Sequence, residues 1–272
     1  SRFDTKISGG LRNKLPGKGT NIFTLMSKMA QDHGAINLAQ GFPDFEGPLA
    51  LRERVAYHIA HGHNQYAPLS GVPHLREQIA AKVLDLYAFT IDPDHQVVVT
   101  PGAAEAIYCA ISAVVHPGDE VIVFDPSYDT YEPGVTLNGG ITRHIPLHYP
   151  DFTIDWQKVR DTINNHTRLI ILNTPNNPSS TLWSEADIQH LRDVIKGRNI
   201  HLISDEVDEH IYFDGNQHLS LLRYPDLASR SFVVSSFGKT YHTTGWRIGY
   251  CIAPPALMDD FLRIHQFINF ST

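Results

Sequence analysis

A lysine in the last quarter of the chain stands beside residues that bind anions. Lys239 follows an apolar run, with Ser236 three residues before it and Arg247 eight residues after it. A lysine amine acts as a nucleophile or carries a proton, and serine and arginine hydrogen-bond to phosphates and carboxylates. The Gly-Lys-Thr sequence at 238–240 also suggests a nucleotide-binding P-loop, but that motif requires glycine at position 233, which is Val233. We therefore exclude a P-loop.

Three other segments place polar or small residues where an apolar run ends. Asp205 and Glu206 follow one such run, and the amide-rich segment 173–178 follows another. The segment 100–106 passes from a strand pattern into a helix pattern through small residues, which exposes the first N–H groups of the helix to a phosphate. Each has an ordinary explanation by itself: a helix cap at Asp205, a strand-to-helix turn and a loop. Only their combination points to chemistry.

These segments are connected by alternating apolar runs and amphipathic stretches that begin at Gln96. The apolar runs predict strands at 97–100, 120–124, 168–172, 200–203, 232–235 and 248–252. The amphipathic stretches predict helices at 103–115 and 184–196. Continuous apolar strands between helices favour an α/β fold with a largely parallel sheet that is covered on both faces. We expect a ligand at the carboxyl ends of these strands.

The residues before Gln96 show a different pattern. Helices are predicted at 22–32, 49–61 and 72–87, around a Gly- and Pro-rich loop at 40–48. This pattern predicts an arm wrapped on the main domain. At the other end, apolar residues from Leu257 onward recur at helical spacing up to Thr272, so we expect that helix to continue and a further segment to follow.

Composition excludes several classes of protein. The 272 residues carry 29 acidic and 22 basic side chains, a formal net charge of −7, without a basic run. This charge disfavours binding to nucleic acids or to a membrane surface. No apolar stretch approaches the roughly 18 to 20 residues of a membrane-spanning helix, and residues 1–6 do not lead into a signal peptide. We expect a cytoplasmic protein.

The cysteines and histidines indicate neither a disulfide framework nor a metal site. Cys109 lies in a helix pattern and Cys251 in a strand pattern, as buried reduced thiols do. His58, His61 and His63 cluster near a predicted helix end, which favours a solvated helix end over a metal site.

Together, the lysine, the strand-end aspartate, the phosphate-type helix start, the Asn-Pro turn and the Ser/Arg pair resemble fold-type I, pyridoxal-phosphate-dependent aminotransferases of class I/II. The resemblance also covers 37–44, 64–68 and 124–128, and so runs through essentially the whole chain. Within that class the chain is similar to bacterial methionine aminotransferases, in the kynurenine and glutamine aminotransferase-like group. The resemblance implies a cofactor-binding large domain at 46–272 with a seven-stranded type of sheet. It also implies an N-terminal arm with part of a small domain at 1–45, and a C-terminal small domain that is missing from this chain.

The resemblance assigns roles to single residues. Lys239 binds the cofactor aldehyde covalently and, once released by the substrate, moves the substrate proton; Asp205 pairs with the pyridine nitrogen and keeps it protonated. Gly41 lies near the substrate carboxylate, and Tyr66 reaches the phosphate of the neighbouring subunit, which implies a homodimer with shared active sites. The remaining cofactor contacts that the resemblance implies are Ala103, Ala104, Ser236 and Arg247 at the phosphate, Tyr128 stacked on the ring and Asn177 at the phenolic oxygen.

The chain departs from the family pattern at three places. Asp208 occupies the position of a tyrosine that donates to the phenolic oxygen, and a carboxylate there is protonated, turned away or raises the pH at which the lysine–cofactor link titrates. Ser180 stands where many relatives have glycine, a change that we expect to be mild. The arginine that binds the substrate carboxylate belongs to the C-terminal domain, which we expect this chain to lack.

The expected activity is transfer of the amino group of methionine, or of another large neutral or aromatic amino acid, to a 2-oxo acid. A carbon–sulfur β-lyase that acts on cysteine conjugates uses the same residues and stays an alternative. A third alternative is a protein that binds the cofactor without turnover, either as a regulatory domain or as an inactive fragment. No basic or helix-turn-helix segment precedes the domain, which argues against a regulator.

Overall fold

The computed structural model describes residues 12–272, so the segment 1–6 considered above lies outside the described residues. The chain divides into two compact units, 1–41 and 42–272. In the first unit, helix α1 spans Ile22–Asp32, as predicted, and the side chain of Asn21 caps it by accepting from the N–H of Phe23 at 2.8 Å. No residue of α1 is buried.

The second unit contains seven strands and nine α-helices. The strands are β1 (Val97–Thr100), β2 (Glu120–Asp125), β3 (Ile141–Pro146), β4 (Thr167–Asn173), β5 (His201–Asp205), β6 (Ser231–Ser236) and β7 (Gly249–Ile252). The helices are α2 (Leu49–Ala60), α3 (Pro73–Tyr87), α4 (Ala103–Val114), α5 (Tyr131–Leu137), α6 (Trp156–Thr162), α7 (Glu185–Ile195), α8 (Pro225–Ala228), α9 (Phe237–Thr240) and α10 (Pro255–Ile268).

All seven strands form one sheet in the order β1-β7-β6-β5-β4-β2-β3. Strands β3, β2, β4, β5 and β6 pair in parallel, whereas β7 is antiparallel to both of its neighbours, β1 and β6. Apolar side chains pack on both faces: Ile122 joins one buried cluster and the adjacent Val121 joins the other. The predicted α/β architecture with a largely parallel sheet is therefore confirmed.

The elements that the sequence did not predict are the more polar and shorter ones. Strand β3 lies at the edge of the sheet, and Ile145 is the only one of its six residues that is buried. An exposed edge strand has no continuous apolar run, so the pattern used for the central strands misses it. Helices α5 and α6 have seven residues each, too few for a periodic pattern to stand out.

Helix α10 ends earlier than its apolar pattern predicts. The helix stops at Ile268, so the prediction that it runs to Thr272 is wrong. The N–H groups of Asn269 and Phe270 both donate to the carbonyl of His265, and Phe270 turns into the left-handed region with φ of 72°. This capping uses backbone groups, and the spacing of apolar side chains carries no information about it.

The turn after β5 contains two buried carboxylates, Glu206 and Glu209, and each accepts several hydrogen bonds. Glu209 accepts hydrogen bonds from Lys82, Tyr87 and Ser235, all at 2.5 Å, and is 3% exposed. Burial works to raise the pKa of Glu209, but the charge and hydrogen bond of Lys82 outweigh it and lower the pKa. Glu206 accepts from Ser204, from the ring of His218 and from the N–H of Leu221.

We expect Lys82→Met to destabilise the protein by about 3 kcal/mol, because it leaves the buried Glu209 carboxylate without its cation. Urea unfolding followed by circular dichroism measures the effect. Lys28→Met is a matched control, since it breaks an ion pair with Asp32 in which both side chains are more than half exposed, and such pairs contribute within about 0.5 kcal/mol. Equal effects of the two changes would contradict the assignment.

Candidate active site

The topology places Asp205 and Lys239 at the carboxyl ends of two neighbouring strands. Asp205 is the last residue of β5 and lies opposite Val234 in the neighbouring strand β6. Strand β6 ends at Ser236, and Lys239 follows one turn later on α9. The charge of Lys239 lowers the pKa of Asp208 against the larger effect of burial, which raises it. Two residues 34 positions apart in sequence thus follow neighbouring strands at the expected edge of the sheet.

Asp205 is a buried carboxylate held by neutral donors. It is 4% exposed, its Oδ2 accepts from the hydroxyl of Tyr131 at 2.5 Å, and its Oδ1 accepts from the N–H of Val207 at 3.2 Å. Burial raises the pKa of Asp205 to about 6, although both hydrogen bonds act in the opposite direction. At neutral pH the group is therefore largely ionised and suited to pair with a buried cation.

The three strands β1, β7 and β6 bring a phosphate-type site together from distant parts of the chain. Thr100 and Ser236 both lie opposite Gly249, one on each side of β7. A Cβ added to Gly249 would collide with the backbone N of Ala103, so the strand passes directly under the start of α4. Glycine at this position permits the close approach.

Arg247 lies over the same helix start. Its guanidinium group sits against Gly102, where an added Cβ would collide with it, and Gly102 has φ of 84°. Arg247 itself adopts the left-handed region with φ of 56°, which is uncommon for a residue with a side chain. Ser236 lies nearby, accepting from the N–H of Gly238 at 3.0 Å. A helix N-terminus, a guanidinium and a hydroxyl together fit a phosphate monoester.

Tyr128 and Asn177 are joined to Asp205 through intermediate residues. The rings of Tyr128 and Tyr131 are in edge contact with centroids 5.7 Å apart. The N–H of Asn177 donates to Oδ1 of Asn173 at 2.7 Å, and the amide of Asn173 donates to the carbonyl of Asp205 at 2.9 Å. The side chain of Asn177 is exposed, which leaves it accessible to a ligand.

Sequence reasoning missed Tyr131 and Asn173. Tyr131 follows Tyr128 by three residues, a spacing that places two side chains on one side of a turn or helix, and Asn173 comes directly after the strand predicted at 168–172. Tyr131 is therefore visible in the sequence by its spacing, and Asn173 by its place in the amide-rich segment 173–178. What the sequence alone does not show is that both side chains converge on Asp205.

Ser180 has φ of 62° and so adopts the left-handed region. A serine in this conformation costs about 1 kcal/mol relative to glycine. The family position that often holds glycine is thus one where glycine has a physical advantage.

Two predicted site residues, Tyr66 and Gly41, are exposed. Tyr66 is 87% exposed, and its ring contacts Phe270 edge-on at 5.5 Å. Gly41 belongs to the first unit and is exposed, and no described atom lies within 4 Å of a Cβ added to it. The roles of Tyr66 and Gly41 stay predictions.

The cysteines are buried free thiols, as predicted. Cys109 and His265 each donate to Glu105, at 3.2 and 2.7 Å, and these hydrogen bonds account for the close approach of three groups of metal-ligand type. His58, His61 and His63 are exposed at the end of α2. Among residues 12–272, none of the helices has the length and apolarity to cross a membrane.

Comparison with known proteins identifies relatives over nearly the whole chain. The chain is 53% identical over 260 residues to methionine aminotransferase of Escherichia coli strain K12, which covers 96% of this chain and 67% of that protein. It is 33% identical to human kynurenine–oxoglutarate transaminase 3, over 93% of this chain and 58% of that protein. The chain thus spans about two thirds of the length of these relatives, or less.

Solved structures agree with the sequence relatives. The crystal structure of YbdL from Escherichia coli, reported with a methionine aminotransferase function, has a TM-score of 0.93 at 52% identity, over 97% of this chain and 68% of that chain. N-succinyldiaminopimelate aminotransferase from Mycobacterium tuberculosis also has a TM-score of 0.93, at 34% identity, over 97% of this chain and 69% of that chain. The family model described as aminotransferase class I and II matches residues 33–272. With the lysine, the buried aspartate and the phosphate-type helix start in place, the chain belongs to the class I and II aminotransferases.

Proposed function

We propose that this chain forms the major part of a pyridoxal-phosphate-dependent aminotransferase that takes its amino group from methionine or another large neutral or aromatic amino acid and passes it to a 2-oxo acid. The observation that carries the proposal is the convergence of Lys239, Asp205 and the phosphate-type site at one edge of the sheet. The preference for methionine is supported by the 53% identity to the Escherichia coli enzyme.

The backbone and side-chain groups at this edge match the phosphate and the ring nitrogen of the cofactor. The N–H groups of Ala103 and Ala104, with Ser236 and Arg247, match a phosphate dianion. Asp205 is a buried anion that accepts hydrogen bonds from the uncharged Tyr131 hydroxyl and Val207 N–H, and it matches a protonated ring nitrogen.

Each residue then has a defined task. When bound, pyridoxal phosphate supplies an aldehyde that accepts the amino group and a ring that takes up the electrons of the substrate Cα–H bond. The amine of Lys239 holds the cofactor and afterwards carries the proton that leaves the substrate Cα. Asp205 keeps a proton on the ring nitrogen, because its negative charge favours the cationic ring. Tyr128 packs on the ring, and Asn177 donates to its phenolic oxygen.

Asp208 is also assigned to the ring, at the phenolic oxygen. Burial raises its pKa, and a protonated Asp208 can donate where an ionised one would repel.

The proposal extends to assembly and location. We propose a homodimer in which the exposed Tyr66 reaches the phosphate in the partner's site and in which Gly41 lies near the substrate carboxylate. We also propose that residues 46–272 form the large domain, that residues 1–45 form an arm with part of a small domain, and that the protein acts in the cytoplasm. The buried free thiols of Cys109 and Cys251 are consistent with a reducing compartment.

The test of the proposed function is an absorbance spectrum with added cofactor, before and after borohydride, followed by peptide mass mapping. We expect borohydride to fix a pyridoxyl group on Lys239, and Lys239→Ala to lose it. Because the variant also lacks the proton carrier, transfer from methionine to a 2-oxo acid should fall by at least about 10²-fold. Lys158→Ala, at an exposed lysine of α6, should leave both properties unchanged.

Two results would contradict this function. A protein that takes up no cofactor would rule it out for this chain. Release of pyruvate and a thiol from a cysteine conjugate, without a 2-oxo acid, would favour the β-lyase.

Asp205→Asn should stabilise the cofactor-free protein above pH 6. The folded-state pKa of Asp205 is raised to about 6 from an ordinary 3.8, so its contribution to stability is full below pH 3.8 and is lost as the pH rises through 6. At pH 8 the variant should gain up to about 3 kcal/mol, the equivalent of the shift. At pH 4 it should match the wild type.

Urea unfolding at the two pH values measures this, with the exposed Asp161→Asn as the control. The same Asp205→Asn variant should bind the cofactor more weakly. A loss of stability at pH 8 would show that Asp205 serves structure rather than the ligand.

Size-exclusion chromatography with light scattering should give a dimer at micromolar concentration. The structure leaves Phe42, Phe45 and Tyr66 about half or more exposed, and such apolar side chains favour burial between subunits. A monomer at all accessible concentrations would contradict the dimer and the role of Tyr66.

A further inference from the structure

We propose that Tyr131 is a positioning residue, which holds Asp205 in its ionised form and aims it at the cofactor ring nitrogen. The inference rests on the proposed function, because it assigns a second residue to the ring-nitrogen contact. It begins with the hydrogen bond of 2.5 Å from the Tyr131 hydroxyl to Oδ2 of Asp205.

The surroundings of Asp205 oppose its ionisation. Burial is the largest cause that raises its pKa, and the nearby carboxylates of Asp208 and Glu206 add to it. Only two donors work in the other direction, the Tyr131 hydroxyl and the N–H of Val207. Lys239 acts on the neighbouring Asp208. Without the donor at Oδ2, the pKa of Asp205 would rise toward neutral pH, and a larger share of the protein would carry a protonated carboxyl group that cannot pair with a cationic ring.

Tyr131 is built to remain a donor. Its side chain is 2% exposed, and burial together with the charge of Asp205 raises its pKa well above the ordinary value. It therefore keeps its proton over the whole range in which enzymes work, unlike a histidine in the same place. A phenol that does not ionise can donate a hydrogen bond to the Asp205 carboxylate but does not transfer its proton to it.

Tyr131 also contacts Tyr128, the residue that we propose packs on the cofactor ring. The rings of Tyr131 and Tyr128 meet edge-on at 5.7 Å, and Tyr131 is the first residue of α5. Tyr131 thus fixes both the carboxylate that pairs with the ring nitrogen and the side chain that covers the ring. Its hydroxyl serves the first task and its ring the second, so the two can be separated by substitution.

Tyr131→Phe removes the hydroxyl and keeps the ring. Tyr87→Phe is the matched control, because Tyr87 is also buried and its hydroxyl also donates to a carboxylate at 2.5 Å, that of Glu209. The first readout is urea unfolding of the cofactor-free protein between pH 4 and 9. In the wild type, stability should fall as the pH rises through about 6, where Asp205 ionises.

In Tyr131→Phe the upper limit of this fall should move upward by about one pH unit, because the lost hydrogen bond favoured the ionised form of Asp205 in the folded state only. In Tyr87→Phe it should stay where it is in the wild type, even though stability is reduced. Adding Tyr131→Phe to Asp205→Asn should cause no further pH-dependent change. A transition that stays near pH 6 in Tyr131→Phe would overturn the inference, because a purely structural tyrosine lowers stability without moving it.

The second readout is the affinity for pyridoxal phosphate at pH 7, measured by absorbance. Tyr131→Phe should weaken binding about tenfold, and Tyr87→Phe should leave it within twofold. If the wild type binds no cofactor but the pH transition moves as expected, Tyr131 does favour the ionised form of Asp205, and the proposed function fails. If the wild type binds and both variants bind equally well, the inference fails and the proposed function stands.

Discussion

The charge at the end of β5 is the constraint on which the rest of the site depends. Four carboxylates fall within five residues, 205–209, and three of them are buried. Glu209 is matched by the cation of Lys82, and Glu206 by donors from 218–221. Among residues 12–272, the donors to the Asp205 carboxylate are a hydroxyl and an amide N–H, both uncharged. A buried carboxylate with uncharged donors lowers the stability of the ligand-free protein, and it is suited to a ligand that carries a positive charge.

The sequence predicts much of this arrangement because burial and periodicity are linked. Central strands such as β4 are buried on both faces, so they read as continuous apolar runs. The exposed edge strand β3 and the end of α10 escape prediction, since one has no apolar run and the other is closed by backbone hydrogen bonds. Lys239 and Asp205 were singled out from residue type and position, and their roles stay predictions. Tyr131 was not, because its importance depends on a contact with a residue 74 positions away.

The phosphate-type site depends on the register of the paired strands, which the spacing of residues in the sequence does not reveal. Gly249 lies between Thr100 and Ser236, which are far apart in sequence but adjacent across β7. A shift of one residue in this pairing would turn the alternate face of the strand toward α4. Glycine at 249 and the left-handed backbone of Arg247 then set how close the guanidinium comes to the helix start. The site is therefore a property of three aligned strands and not of any one motif.

The antiparallel strand β7 also makes one strand pairing of the sheet distant in sequence. Strand β1, at 97–100, has β7 as its only neighbour in the sheet, and β7 is at 249–252. Nearly 150 residues therefore separate β1 from its first pairing partner, whereas the strands from β2 to β6 pair across shorter gaps. During synthesis from the N-terminus, α4 has no completed strand beneath its first turn until β7 has left the ribosome. The phosphate-type site is therefore complete only late in synthesis, when the short strand β7 has joined β1 to β6.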